Sequence, residues 1–227
     1  MDLPKVNAHL HTPFSFSAFR DIDDALDRAV AEKVKVVGIN DFYTAEGYEE
    51  WADGCRKRGL FPLFGIAFIS LNEEDQKAGL RVNDPGNPGR TYISGKGLLQ
   101  PFKLDEPYAS ELTNVRNEAN KQVEAMCEKL NGILTGKNAS FILDIDWIKE
   151  NLTKGSVRER HLAKALRLKV YENCDDNPTC IKNLLREIFG GKELKSDTDN
   201  LAGVENEIRA NLLKSGGLAF VPETAEA

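Results

Sequence analysis

Val34-Lys35-Val36-Val37-Gly38-Ile39 is a nearly continuous apolar run set between two stretches of helical periodicity, and this arrangement restricts the chain to few folds. A strand that is apolar at successive positions is covered on both faces, as parallel strands with crossover helices are. Before it, Ile22, Ala25, Leu26, Ala29 and Val30 recur at helical spacing over 21–33. Asp21, Asp23 and Asp24 crowd the end of that helix where its dipole favours carboxylates. After the run, a helix over 45–58 turns Tyr48, Trp51, Ala52 and Cys55 inward, and Gly59 ends it. Strands predicted over 5–11 and 60–71 complete a β-α-β-α-β order, which implies right-handed crossovers and a parallel sheet or barrel.

The pattern then changes. Residues 83–90 hold two prolines and two glycines and read as a long loop with defined turns. From about 106 to 213 the chain is mostly helical: Leu112, Val115, Ala119, Val123, Met126 and Leu130 line one long helix. Further helices carry Trp147, Ile148 and Leu152, then Leu162, Leu166 and Val170, and later segments centre on 181–189 and 201–213. Lys214-Ser215-Gly216-Gly217 reads as a turn entering a fresh strand at Leu218-Ala219-Phe220-Val221. The expected organisation is a β/α core over 1–104, a helical region over 105–214 and the start of a returning strand over 215–227. So few strands cannot close a barrel, and the sequence is expected to be the N-terminal piece of a longer protein.

A formal charge of −6 provides no overall field for a nucleic-acid backbone, so any such binding would need a local basic patch. No apolar run approaches the ~20 residues needed to cross a bilayer, which argues against a membrane partner. Cys55, Cys127, Cys174 and Cys180 lack zinc-type spacing and no secretory signal precedes the first strand, so a reducing cytoplasm is the simple expectation.

The chemistry-bearing residues begin with His9-Leu10-His11, two of the chain's three histidines. Alternate residues of a strand share a face, so both imidazoles point one way. Thr12-Pro13 ends the strand there, where open α/β sheets keep their ligand sites. Two neutral imidazoles aimed at one point form half of a divalent metal site. Asp41, at the end of the second strand, is the candidate third ligand; the competing reading is that Asn40 or Asp41 caps the next helix. His161 and Arg160, on a locally basic helix with Arg158 and Lys164, are candidate phosphate contacts, although a lone helical histidine is more often packed or solvated. Arg90, with Lys96 and Lys103, adds positive charge around the glycine-rich loop, enough to hold an anionic substrate.

Taken in order, His9-x-His11-Thr12, Gly38-Ile39-Asn40-Asp41, Gly65-Ile66-Ala67-Phe68 and the 158–166 helix resemble the polymerase and histidinol phosphatase (PHP) family of metal-dependent phosphoesterases, in its branch with a helical insertion. The resemblance implies an α/β fold, part of a distorted (β/α)7 barrel with an α-helical inserted subdomain. It also implies hydrolysis of phosphomonoesters or phosphodiesters by a water activated on divalent metal (Mn, Zn, Fe or Mg), with His9 and His11 as the first motif. The substrate would be a phosphorylated small molecule or a nucleic-acid end. Three positions depart from the family pattern: Ala18 and Ala67 stand where carboxylates are usual, and Phe42 where a histidine is. These departures favour the alternative, a PHP-like domain that binds a nucleotide, a nucleic-acid end or a protein partner without catalysis.

Overall fold

The computed structural model describes residues 3–222. Within them the chain divides into two compact units: one up to Asn117 together with Lys154–Ser156, the other over 118–153 and from Val157 onward.

The first unit holds β1 (Lys5–Leu10), α1 (Ile22–Ala31), β2 (Val34–Phe42), α2 (Tyr48–Arg58), β3 (Phe61–Leu71), a short α3 (Glu73–Lys77) and β4 (Arg90–Lys96). The sheet is a four-stranded half-barrel in the order β1-β2-β3-β4. The first three strands are parallel, as the alternation of patterns requires. α1 starts where expected because the Asp21 carboxylate accepts the Asp24 N–H at 2.7 Å. α2 ends at Gly59, whose left-handed φ of 64° suits a residue without a Cβ. Ile22, Leu26, Trp51 and Cys55 from the helices pack on Val37 and Ile39, with Leu10 and Phe64 beside them, so one sheet face is covered by this core. Strand alternation turns Gly38, Asn40 and Phe42 to the other face.

β4 is the element the sequence reading lacked. It runs antiparallel to β3, opposing Gly65 to Lys96, Ala67 to Ser94 and Ile69 to Tyr92. An antiparallel strand needs only a return loop, which the Pro/Gly-rich 83–90 segment provides.

The second unit is helical: the later part of α4 (Tyr108–Gly136), then α5 (Ile145–Leu152), α6 (Glu159–Asn173), α7 (Pro178–Ile188), α8 (Leu201–Ile208) and a π-helical turn at Arg209–Leu213. Leu130, Leu134, Leu162, Leu166, Ile181, Leu185 and Ile208 form its core. The strand expected from Leu218 is absent over 218–222; residues 223–227 lie outside the described part. The Leu218 and Ala219 N–H groups bond instead to the carbonyls of Asn211 and Leu212, folding the segment back onto the π-helical turn and burying Ala219.

Cys174 and Cys180 form a disulfide. Cys55 and Cys127 are free and buried. Among the described residues no helix is long and apolar enough to cross a membrane.

Candidate metal and phosphate site

At the end of β1 the two histidines meet: His9 Nε2 and His11 Nε2 lie 3.2 Å apart. The β1–β2 register shifts between Asn7 and Leu10, so the pair sits in an irregular stretch of strand rather than on a flat ladder. The His11 ring is clamped between Phe16, with centroids 4.6 Å apart, and Phe42, at 5.0 Å and nearly parallel. Such stacking limits ring rotation, so Phe42 orients the histidine at the position where the family pattern has a further imidazole.

β2 and β4 continue the site across the open face. Asn40 is fully buried; its Nδ2 lies 3.2 Å from His9 Nε2 and donates to Ser94 Oγ at 3.1 Å. Lys96 Nζ donates to Asn40 Oδ1 at 2.6 Å and to the Ala8 carbonyl at 2.9 Å. Two glycines make this possible. A Cβ at Gly38 would lie 2.5 Å from the Ala8 oxygen, and one at Gly65 would lie 2.6 Å from Asn40 Oδ1 and 3.1 Å from the Lys96 stem. Burial, and next the Lys96 charge, hold the His9 pKa below its usual value, so the imidazole is neutral near pH 7. Burial also lowers the Lys96 pKa.

A metal bound to two nitrogens at ~2.0–2.1 Å, with those nitrogens 3.2 Å apart, subtends roughly 100°, near the tetrahedral angle. The histidine pair therefore fits as two neighbouring donors to one divalent ion. Asp41 does not supply the third. It is buried, and its carboxylate accepts the Thr12 N–H at 2.7 Å, the Thr12 hydroxyl at 2.5 Å and the Ser15 hydroxyl at 2.6 Å. Among the described residues no three His, Cys, Asp or Glu side chains converge as a metal-binding group. Neither does Asn40 or Asp41 cap α2, whose N-cap is Gly47. Asp41 instead fixes the turn that follows His11. Burial pushes its pKa up to about 6 against the opposing pull of the Ser15 and Thr12 hydrogen bonds.

The other sequence candidates have different places. Arg90, at the start of β4, lies 3.5 Å from the Asp84 carboxylate and over the Tyr92 ring, so its charge is already met. His161 belongs to the helical unit. Its ring is buried and its Nδ1 accepts the Arg158 N–H at 2.9 Å, which makes it a helix-capping residue rather than a phosphate contact. Burial drives its pKa down to about 4. Arg160 is exposed on the first turn of the same helix.

Ser94 and Lys96 lie on a strand, and the sequence carries a signal for it. Tyr92, Ser94 and Lys96 alternate with Ile93 and Gly95 at the period of two that marks a strand. A cavity of about 450 Å³ also opens beside the β2–α2 turn, walled by Tyr48, Phe102 and the Glu46–Arg116 ion pair. Neither histidine lines it, so it is a separate feature.

No protein-family model and no curated protein matches the chain. Solved structures do. One, described as a candidate metal-dependent phosphoesterase from Bifidobacterium adolescentis, aligns with 85% of this chain at 18% identity and a TM-score of 0.54. Another, titled an amidohydrolase from Chromobacterium violaceum with bound sulfate and no metal, aligns with 96% of this chain at 14% identity and a TM-score of 0.55. The alignments span 66% and 58% of those chains. The chain thus shares its fold with these two structures, the first of them from the class of protein that the motifs resemble.

Proposed function

We propose that this chain is a metal-dependent phosphoesterase domain in which His9 and His11 hold one divalent cation at the strand-end site. The observation that carries the reading is the 3.2 Å convergence of their Nε2 atoms on the open face of the sheet. Burial keeps His9 a neutral donor, the form a metal ligand needs. Phe16 and Phe42 hold the plane of His11, and Asp41 holds the backbone turn behind it. When bound, the cation supplies Lewis acidity and lowers the pKa of a coordinated water. The substrate is a phosphorylated small molecule or a nucleic-acid end.

The test is hydrolysis of p-nitrophenyl phosphate and of short oligonucleotides with added Mn²⁺, in the native chain and in His9→Ala and His11→Ala. Activity that depends on Mn²⁺ and is lost in both variants supports the reading; activity that survives either substitution contradicts it.

A second reading, binding of a phosphorylated ligand without turnover, is favoured by Ala67. It stands where the family pattern has a carboxylate, and the strand beside it presents Ser94 and Lys96 instead. A site without carboxylates holds a divalent cation weakly. Phosphate binding with no hydrolysis under any metal would select this reading.

A further inference from the structure

Several partly or largely buried arginines of this chain have a carboxylate: Arg58 pairs with Asp23 and Asp27, Arg116 with Glu46, Arg167 with Glu205, and Arg209 with Glu159. Lys96 differs. Its ammonium is held by two neutral oxygens, Ala8 O and the Oδ1 of the buried Asn40, with no carboxylate partner among the described residues. A cation fixed in place on neutral oxygens, with no counter-charge beside it, attracts an anion.

The hydrogen-bonding capacity points the same way. An ammonium has three donors, and two are used here, which leaves one for a ligand. Ser94 Oγ accepts from Asn40, so its own O–H remains available to donate. Ser94 and Lys96 are two apart on β4 and therefore share a face, and they oppose Ala67 and Gly65, the two smallest side chains available. Positive charge and two unspent donors coincide beside His9.

We propose that Lys96 and Ser94, positioned by Asn40 and the Ala8 carbonyl, form an oxyanion subsite for a terminal, dianionic phosphate, which makes a phosphomonoester the preferred ligand class over a phosphodiester. This rests on the phosphoesterase reading for its place in a reaction, but the subsite binds its anion with or without a metal. A site with an uncompensated cation and no carboxylate gains more from a dianion than from the single charge of an internal diester phosphate. An Asn40 amide locked by His9, Ser94 and Lys96 keeps both donors in place before the ligand arrives.

The experiment is calorimetric titration of the full chain with inorganic phosphate in chelator-containing buffer, for the native protein, Lys96→Gln, Lys96→Arg and Ser94→Ala. Phosphate is expected to bind the native chain with an affinity that falls as salt rises. Lys96→Gln is expected to weaken it tenfold or more, Lys96→Arg only a few-fold, and Ser94→Ala by an intermediate amount. With Mn²⁺ present, Lys96→Gln should raise KM for p-nitrophenyl phosphate more than it lowers kcat, and raise KM for bis(p-nitrophenyl) phosphate by a clearly smaller factor. Circular dichroism confirms that the variants fold; Lys96→Gln retains an amide donor to Asn40 for that purpose. Absence of phosphate binding, or equal binding by native chain and folded Lys96→Gln, overturns the subsite. Lys96-dependent phosphate binding without hydrolysis keeps the subsite and removes the hydrolase reading; hydrolysis with Lys96-independent phosphate binding does the reverse.

Discussion

Asp41 accepts the backbone N–H of Thr12 at 2.7 Å and thereby ties the end of β2 to the turn that immediately follows the histidine pair. The Thr12 and Ser15 hydroxyls complete the knot, so three donors converge on one buried carboxylate. Burial nevertheless dominates, raising its pKa from 3.8 to about 6. The carboxylate is a structural clasp.

That raised pKa has a pH consequence. Between pH 3.8 and 6 the folded chain keeps Asp41 protonated while the unfolded chain does not, so the stabilisation is complete below 3.8 and lost as pH rises through 6. Asp41→Asn keeps the shape and removes the titration. The stability of Asp41→Asn relative to the native chain should increase between pH 4 and pH 7, by about 3 kcal/mol at most. Urea unfolding followed by Trp51 fluorescence in a Trp147→Phe background measures it. A difference that is flat or falls with pH rejects the burial-dominated carboxyl.

His161 acts in the opposite sense. Its folded pKa of about 4 lies below the usual 6.5, so its contribution is present above 6.5 and lost as pH falls toward 4, where the unfolded chain gains a proton first. His161→Gln preserves an acceptor for the Arg158 N–H, a common arrangement at this helix position. The native chain should lose about 3 kcal/mol more stability than the variant between pH 7 and pH 4. Thermal melting followed by far-ultraviolet circular dichroism across that range tests this, and parallel pH profiles would contradict it.

The Cys174–Cys180 disulfide closes a short loop between α6 and α7. Alkylation of the denatured chain without reductant should label Cys55 and Cys127 only, and with reductant all four cysteines. Replacing both bonded cysteines by serine should cost the helical unit about 2 kcal/mol from restored loop entropy. Four labelled cysteines in the chain purified without reductant would show that the bond does not form.

The parallel core was legible because burial imposes its own period. Ile22, Ala25, Leu26 and Ala29 could only form a helix face, and Val34–Ile39 only a covered strand. β4 was less legible, since it is a short strand of mixed polarity on the open side of the sheet, where no core demands an apolar repeat. Leu218–Val221 is ambiguous for a related reason: four apolar residues after a Gly-Gly pair mark a strand or a packed turn equally well, and the helical core takes up Ala219, Phe220 and Val221. In the site, the His-x-His spacing alone places both rings on one side of the strand. The roles of Asp41 and Lys96 depended on contacts made across the sheet, from Asp41 to Thr12 and from Lys96 to Asn40, which no local pattern encodes.

The most direct test of the central claim is calorimetric titration of the metal-stripped chain with Zn²⁺ or Mn²⁺, in the native protein, His9→Ala, His11→Ala and the double variant. One divalent ion per chain is expected to bind the native protein, and each single substitution should abolish that binding as completely as the double one, because two imidazoles sharing one ion are not additive. Metal binding of undiminished affinity in either single variant would contradict the claim that His9 and His11 hold the cation together.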